Sequence, residues 1–283
     1  MAANIINGNE IALAIRKEVA SKIRKLKAAG KRIPGLTVVL VGENPASMTY
    51  VASKEKMCGR VGLLSNVIRL PQETTQAQLL SIVEQLNTDA AVDGILVQLP
   101  LPKHIHTESV INAISPQKDV DGFHVINSGG LLSGIESLEP CTPAGIIEML
   151  RRENIAIDGK HAVVIGRSNI VGKPVALMLL RENATVTICH SRTQNLADIT
   201  RQADILVVAI GRANFVTADM IKPGAVVIDV GMNRAEGKLC GDVDYNAAEQ
   251  VAGYITPVPG GVGPVTIAML LKNTLAAYEK ING

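Results

Sequence analysis

The feature that most constrains the fold is a buried strand, a glycine-rich turn and an apolar helix in immediate succession. His161–Ile165 (HAVVI) predicts the strand, residues 166–174 (GRSNIVGKP) form the turn, and Val175–Leu180 predicts the helix. In this order, Gly166 allows a sharp turn, Gly172 allows close packing of helix on strand, and helix N–H groups can lie beneath a pyrophosphate. Because Ser168 replaces the second glycine of G-x-G-x-x-G, the motif alone leaves dinucleotide binding open.

The segments after this turn strengthen the dinucleotide hypothesis. Three further apolar runs predict strands at Thr185–Cys189, Ile205–Ile210 and Ala225–Val230, with a helix at Asn195–Ala203. Four strands joined by short crossovers are typical of a Rossmann-type domain. We therefore predict such a domain over residues 141–267.

The first half of the chain predicts a second α/β domain. Apolar runs at Thr37–Val41, Asn66–Leu70 and Gly94–Leu99 alternate with helical patterns, which indicates a parallel sheet. The last helix follows the Rossmann segment, and we expect it to fold back on the first domain. The predicted fold class is thus two α/β domains with a cleft between them: residues 1–140 with 268–283, and residues 141–267.

Composition limits the partners of the chain. It has 283 residues, no Trp, two Phe and four Tyr, so its cores must be aliphatic, as parallel sheets allow. A net charge of +2 without a basic, aromatic-rich block argues against nucleic acid. No signal-like start or membrane-length apolar run occurs, and the cysteines and histidines lack metal spacing. We expect a cytoplasmic protein without a membrane or metal partner.

The end of the second Rossmann strand bears on cofactor choice. NAD enzymes usually place a carboxylate there to bind the ribose 2′-hydroxyl, but this chain has His190, Ser191 and Arg192. These side chains suit a 2′-phosphate, and Arg167 would add positive charge, so NADP is favoured over NAD. The alternative is that Arg192 is an ordinary exposed loop arginine.

A candidate catalytic pair lies in Gly42–Gly62 (GENPASMTYVASKEKMCGRVG). If the part after the turn is a helix, Tyr50 and Lys54 stand four residues apart on one face. An amine beside a phenol can bind a planar ring and move protons. The alternative is an amphipathic surface helix with a solvated lysine, and Lys56 and Arg60 compete with Lys54 for any such role.

Two loop regions add polar groups. Gln98 interrupts an apolar strand at its carboxyl end, where α/β sheets bind ligands, although an amide there could merely hold a loop. In Ser115–His124 (SPQKDVDGFH), Asp121 could be a simple turn residue before glycine, or could accept two parallel hydrogen bonds from an amino-heterocycle. Tyr254–Thr266 (YITPVPGGVGPVT) predicts a rigid loop whose backbone touches a flat ligand.

Five separated motifs together resemble one enzyme family. They are NPAS-x-x-YV-x-x-K at 44–54, VQLP at 97–100, KDVDGFH at 118–124, GRS-x-x-x-G at 166–172 and PVPGGVGP at 257–264. In this order they are similar to the bifunctional methylenetetrahydrofolate dehydrogenase/methenyltetrahydrofolate cyclohydrolase family. The resemblance spans the chain from about Asn4 to the final helix.

The resemblance implies two reactions. NADP oxidises 5,10-methylenetetrahydrofolate to the methenyl cation, and water then opens that cation to 10-formyltetrahydrofolate. Lys54 would be the acid/base residue, with Gln98 hydrogen-bonded to it, Tyr50 stacked on the folate and Asp121 bound to the pterin. Other implied substrate residues are Val97, Leu99, Pro259, Gly260 and Gly261; implied cofactor residues are Gly166, Arg167, Ser168, Ser191, Arg192 and Met232. The family also implies a homodimer and a role in one-carbon metabolism, with purine, histidine and methionine biosynthesis downstream.

Three alternatives remain at this point. A monofunctional NAD(P)-dependent dehydrogenase of the same folate family would share most motifs, although Lys54 with Gln98 argues against it. A shikimate-type dehydrogenase would share the domain plan without the loop at 257–264. From another class of protein, the chain could be a non-catalytic nucleotide-binding regulator.

Overall fold

The computed structural model describes residues 2–235 and 237–282, and the chain forms two compact units. One contains the N-terminal residues up to Ala12 together with Thr142–Thr266, and we call it the six-stranded unit after its sheet. The other contains Leu13–Cys141 and the residues from Ile267 onward, and we call it the three-stranded unit. Met1 and Gly283, which end the predicted first domain, lie outside the described residues.

The strands of the described residues are β1 (Asn4–Ile5), β2 (Gly35–Val41), β3 (Leu64–Leu70), β4 (Gly94–Val97), β5 (His161–Ile165), β6 (Thr185–Cys189), β7 (Ile205–Val208), β8 (Val226–Asp229), β9 (Asn233–Ala235), β10 (Lys238–Cys240) and β11 (Tyr254–Ile255). The helices are α1 (Gly8–Ala28), α2 (Pro45–Val61), α3 (Gln76–Thr88), α4 (Thr107–Ile111), α5 (Val125–Ser133), α6 (Cys141–Arg152), α7 (Gly172–Arg181), α8 (Leu196–Thr200), α9 (Tyr245–Ala248) and α10 (Val262–Asn282), with a 3₁₀ turn at Ala218–Met220.

The six-stranded sheet has the order β1-β11-β8-β7-β5-β6, and all its pairs are parallel. Its central strands β7 and β8 are wholly buried, and the surrounding core is mostly Val, Ile, Leu and Ala. The aliphatic parallel sheet expected from the scarcity of aromatics is thus present. The predicted α/β fold class is confirmed.

The N-terminal residues belong to a different unit from the one that was predicted. Sequence analysis assigned residues 1–140 to one domain, but Asn4 and Ile5 pair with Tyr254 and Ile255 at the edge of the six-stranded sheet. A two-residue strand carries too short a pattern to be recognised, and its partner lies about 250 residues away. At the other boundaries the units differ from the prediction by one residue, since Cys141 and Ile267 belong to the three-stranded unit.

The three-stranded sheet has the order β3-β2-β4 and is also parallel. All seven residues of β2 are buried, and α3 packs on the sheet through Leu79, Val83 and Leu86. A bidentate ion pair joins the Arg32 guanidinium to the buried Asp93 carboxylate at 2.7 and 2.8 Å. None of the helices in the described part of the chain is long and apolar enough to cross a bilayer.

Candidate active site

Helix α2 places Tyr50 and Lys54 on one side of the three-stranded unit. Its first turn is fixed by Asn44, whose side-chain oxygen accepts from the N–H groups of Ala46 and Ser47, and by proline at the first helical position. Lys54 is only 7% exposed. The alternative of a solvated lysine is therefore wrong.

Burial also separates Lys54 from its competitors. Lys56 and Arg60, on the same helix, are exposed. A buried amine needs a polar partner because an unpaired buried charge costs several kcal/mol (about 3 to 5). Lys54 is thus the lysine of this helix that is built into a site.

The partner of Lys54 is Gln98. The Lys54 Nζ donates to Gln98 Oε1 at 3.0 Å, and Gln98 Nε2 donates to the Leu99 carbonyl at 2.7 Å. The second bond fixes which end of the amide faces the lysine. An ammonium has three N–H donors, so Lys54 can still donate to a substrate or a water molecule.

The aromatic ring of Tyr50 lies beside the same amine. The Lys54 Nζ is 5.8 Å from the ring centroid, within the range of a cation–π contact. Tyr50 itself is half-buried, and burial raises the pKa of its hydroxyl. The phenol therefore stays neutral at physiological pH and offers a flat face next to a cation.

Asp121 completes the charge pattern. The pKa of its carboxyl is raised to about 6: burial raises it most, the Lys54 ammonium lowers it and the Asp119 carboxylate raises it. Lys54 is thus close enough to influence the charge of Asp121. The structure thus places Gln98 and Tyr50 beside the Lys54 amine, and Asp121 within electrostatic range of that amine.

Neighbouring residues hold the loop that carries Asp121. The Lys118 ammonium donates to the carbonyls of Leu86 and Asp89 at 3.1 and 2.8 Å, at the carboxyl end of α3. The Asp119 carboxylate accepts from the His124 N–H at 2.7 Å, at the start of α5. Asp119 therefore serves to hold the loop in place, which distinguishes it from Asp121.

Asn273 is a site residue that the sequence analysis missed. Its side-chain amide donates to the carbonyl oxygens of Val120 at 2.9 Å and Glu139 at 2.8 Å. Gly122 packs against the same segment, where a Cβ would lie 2.5 Å from the backbone of Glu139. Asn273 is 152 positions from Asp121 in the chain, and an isolated helical asparagine carries no sequence signal for this role.

A second group of predicted residues surrounds the glycine turn of the six-stranded unit. Gly166 has φ +123°, and a Cβ there would lie 2.3 Å from the Ala209 carbonyl oxygen. A Cβ on Gly172 would lie 2.2 Å from the Gly166 carbonyl oxygen. Both glycines are therefore required by close backbone approach, as their positions in the sequence suggest.

Ser168 does more than replace a glycine. Its hydroxyl accepts from the N–H groups of Val171 at 3.1 Å and Gly172 at 3.2 Å, which stabilises the start of α7. Arg167 and Ser168 are both exposed. The turn therefore exposes the Arg167 cation, while the Ser168 hydroxyl caps the first N–H groups of α7 from within the turn.

The remaining candidates lie in neighbouring loops of the same unit. Ser191 and Arg192 are exposed after β6, in a turn where His190 Nδ1 accepts from the Arg192 N–H at 3.2 Å. Met232 follows β8 and is 50% exposed. Because the strands are parallel, the loops after β5, β6 and β8 leave the same edge of the sheet. Pro259, Gly260 and Gly261 lie between β11 and α10, and Gly260 has φ +104°.

The two halves of the chain match two family models. Residues 6–121 match the catalytic domain of tetrahydrofolate dehydrogenase/cyclohydrolase, and residues 140–282 match the NAD(P)-binding domain of the same enzymes. The chain belongs to this family. The predicted family membership is confirmed, and so is the prediction of a dehydrogenase and cyclohydrolase with a dinucleotide cofactor.

Individual relatives of this tetrahydrofolate dehydrogenase/cyclohydrolase cover the whole chain. The bifunctional protein FolD of Halothermothrix orenii is 62% identical over 277 residues, 97% of this chain and 98% of that protein. The crystal structure of the bifunctional enzyme FolD from Campylobacter jejuni superposes with a TM-score of 0.97 at 48% identity, over 99% of this chain and 100% of that one. The Trypanosoma brucei enzyme, solved with NADP cofactor and inhibitor, gives 0.95 at 40% identity over the full length of both chains.

Proposed function

We propose that the three-stranded unit is the folate-binding catalytic domain and that Lys54 is the acid/base residue of the bifunctional enzyme. The observation that carries this proposal is the buried amine, 7% exposed and 3.0 Å from Gln98 Oε1. An amine held beside an amide, a carboxylate and a flat ring suits a planar substrate whose positive charge forms only on oxidation. We name that substrate as 5,10-methylenetetrahydrofolate, and its oxidation product is the methenyl cation.

Each neighbour of Lys54 has a separate role in this proposal. The Tyr50 ring stacks on the folate and orients it. The Asp121 carboxylate accepts two parallel hydrogen bonds from the amino and ring N–H groups of the pterin, which requires the ionised form. Val97 and Leu99 flank Gln98 and contact the substrate, and the backbone of Pro259–Gly261 is proposed as a further substrate contact.

Lys54 acts chiefly in the hydrolytic step. Water attacks the methenyl carbon and gives one proton to the Lys54 amine, which leaves a hydroxyl adduct on the bridging carbon. The Lys54 ammonium then protonates N5 as the carbon–N5 bond breaks, and the adduct hydroxyl loses its proton to solvent to become the formyl carbonyl on N10, so one proton is released overall. Gln98 positions the amine by accepting one of its N–H groups. No residue of this set has to form a covalent bond with the substrate.

The six-stranded unit is proposed as the NADP-binding domain. Its glycine turn packs backbone against backbone at Gly166 and Gly172, as a dinucleotide-binding turn requires for its helix to lie close to the strand. Arg167 is exposed in that turn, and Ser191 and Arg192 are exposed after β6, where no carboxylate follows the strand. These residues fit a 2′-phosphate, and the Met232 backbone contributes a further contact. When bound, NADP accepts the hydride from the methylene carbon.

We further propose that the enzyme is a cytoplasmic homodimer that supplies one-carbon units to purine, histidine and methionine biosynthesis. The edge strand β6, with Ile188 40% exposed and Leu180 of α7 57% exposed, offers an apolar surface for such pairing. Size-exclusion chromatography with light scattering measures the mass directly.

One pair of absorbance assays tests the proposed function. Folate-dependent formation of NADPH measures the dehydrogenase, and loss of methenyltetrahydrofolate absorbance without nucleotide measures the cyclohydrolase. Activity in both assays is expected. Dehydrogenase activity alone would favour the monofunctional enzyme, and inactivity in both would favour a nucleotide-binding regulator.

A further inference from the structure

Two buried aspartates in the six-stranded unit have no place in the chemistry described above. Asp242 is fully buried, and its two carboxylate oxygens accept four hydrogen bonds. One oxygen accepts from the N–H groups of Ile210 at 2.7 Å and Gly211 at 3.0 Å. The other accepts from the Arg212 N–H and from the Asn233 side-chain amide, both at 2.8 Å.

Asp229, at the end of β8, holds Asp242 in turn. Its carboxylate accepts at 2.9 Å from the backbone N–H groups of Gly231, Asp242 and Val243. A Cβ on Gly241 would lie 1.8 Å from Asp229 Oδ2, so this packing excludes any larger residue there. Asp229 is 3% exposed, and burial beside Asp242 raises the pKa of its carboxyl to about 6.

Burying these two neighbouring carboxylates costs free energy. Two buried carboxylates repel each other, and each must give up hydration that the hydrogen bonds only partly replace. Apolar side chains of similar volume would leave the N–H groups that these carboxylates bind without acceptors. The pair therefore holds the backbone geometry of the segments that carry those N–H groups.

The backbone it fixes belongs to the edge where the cofactor residues lie. Residues 210–212 follow β7, and residues 231–233 follow β8, so both segments leave the carboxyl edge of the sheet. The Ala209 carbonyl oxygen packs against Gly166 of the glycine turn. In open α/β sheets the dinucleotide binds at this edge. Gly211, Arg212 and Met232 are exposed, while the N–H groups of Gly211 and Arg212 point inward to Asp242.

We propose that Asp242, held by Asp229, is a positioning residue for the cofactor: its carboxylate clamps the segments after β7 and β8 together and so shapes the wall on which NADP rests. This inference rests on the proposed placement of NADP in the six-stranded unit. Asp242 does not touch the cofactor, and it acts through residues 210–212 and Asn233. It therefore affects NADP-dependent oxidation and leaves the nucleotide-independent hydrolysis alone.

The test is Asp242→Asn in the full-length enzyme, with Asp244→Asn as matched control. The amide keeps the shape of the side chain but turns an NH₂ group towards inward-pointing N–H donors on one side, so the clamp opens there. Asp244→Asn removes the same charge two residues away, where the Asp244 side chain accepts from the Ala247 N–H at 3.5 Å, at the start of α9. For Asp242→Asn we expect the Kd and KM for NADP to rise at least tenfold, with smaller loss of kcat and with cyclohydrolase activity within twofold of wild type.

Other outcomes would overturn the inference. One such outcome is an unchanged NADP affinity in a folded Asp242→Asn enzyme. Another is an equal loss of dehydrogenase and cyclohydrolase activity, which would show that Asp242 has a purely structural role. Should that variant fail to fold, Asn233→Ala removes a single clamp donor and is expected to raise the NADP Kd about threefold; no change there also refutes the idea. If wild-type enzyme itself binds no NADP in calorimetry, the proposed cofactor site fails instead.

Discussion

The Lys54 ammonium and the Gln98 side-chain oxygen lie 3.0 Å apart, although 44 positions separate them in the chain. The helix that carries Lys54 follows β2, and Gln98 follows β4, which pairs directly with β2. Parallel pairing of these strands brings both side chains to one edge of the sheet. A sequence motif on either segment alone would not have established a site.

Substituting Lys54 by methionine tests the assignment of the acid/base residue. The thioether has a similar length but accepts no proton, so Lys54→Met is expected to lower cyclohydrolase kcat by at least 10³-fold while NADP affinity stays within twofold. The decrease in methenyltetrahydrofolate absorbance over time measures the cyclohydrolase rate, and calorimetry measures NADP binding. Lys56→Met, on the exposed face of the same helix, is the control and should keep wild-type activity. Normal hydrolysis in Lys54→Met would remove Lys54 from the mechanism.

Shortening Gln98 tests whether the 3.0 Å contact matters for chemistry. Gln98→Asn keeps the amide but withdraws it by one methylene, about 1.5 Å, so the hydrogen bond to Lys54 is lost. We expect kcat of the cyclohydrolase to fall about 10- to 100-fold, since the amine is no longer oriented. A loss confined to folate KM, with kcat unchanged, would show that Gln98 only binds substrate.

The pH dependence of folate binding follows from Asp121. Its carboxyl pKa is raised to about 6, so below pH 6 it is increasingly protonated and cannot accept both pterin hydrogen bonds. The KM for the folate substrate should therefore rise as the pH falls from 7 to 5. In Asp121→Asn the KM should be higher at every pH and nearly flat over this range. A wild-type KM that does not change between pH 7 and 5 would contradict the assignment.

The ionised Asp121 carboxylate should also lower the free energy of unfolding at neutral pH. A carboxyl with a raised pKa favours the folded state fully below about pH 4, and this contribution is lost as the pH rises through 6. Asp121→Asn removes that loss, so the free energy of unfolding at pH 7.5 should increase by about 1 to 2 kcal/mol. The gain should shrink towards zero at pH 4. Urea unfolding at both pH values measures the difference, and equal effects at pH 4 and 7.5 would show another cause.

Features of the fold and site were predictable from the sequence where the residues that determine them lie close together in the chain. The glycine turn was recognised because Gly166 and Gly172 lie within one strand–turn–helix unit, and the packing that requires them is itself local. The spacing of residues in α2 did not single out Lys54 from Lys56 and Arg60, because the burial that distinguishes Lys54 is a property of the folded chain. Asn273, Asp229 and Asp242 were missed, since each acts through backbone groups that sequence does not identify. The strand at Asn4–Ile5 was missed because its partner is remote.

The cofactor preference is tested by reversing one charge. Arg192 is exposed after β6, and no carboxylate occupies that strand end. Arg192→Glu is expected to raise the KM for NADP at least 30-fold and to change that for NAD less than threefold, because the new carboxylate repels a 2′-phosphate but accepts from a 2′-hydroxyl. Arg201→Glu, an exposed arginine on a neighbouring turn that pairs with Asp198, controls for the general change in charge. Equal losses for the two nucleotides would show that Arg192 is an ordinary loop arginine, and the preference for NADP would then have to come from Arg167 or Ser191.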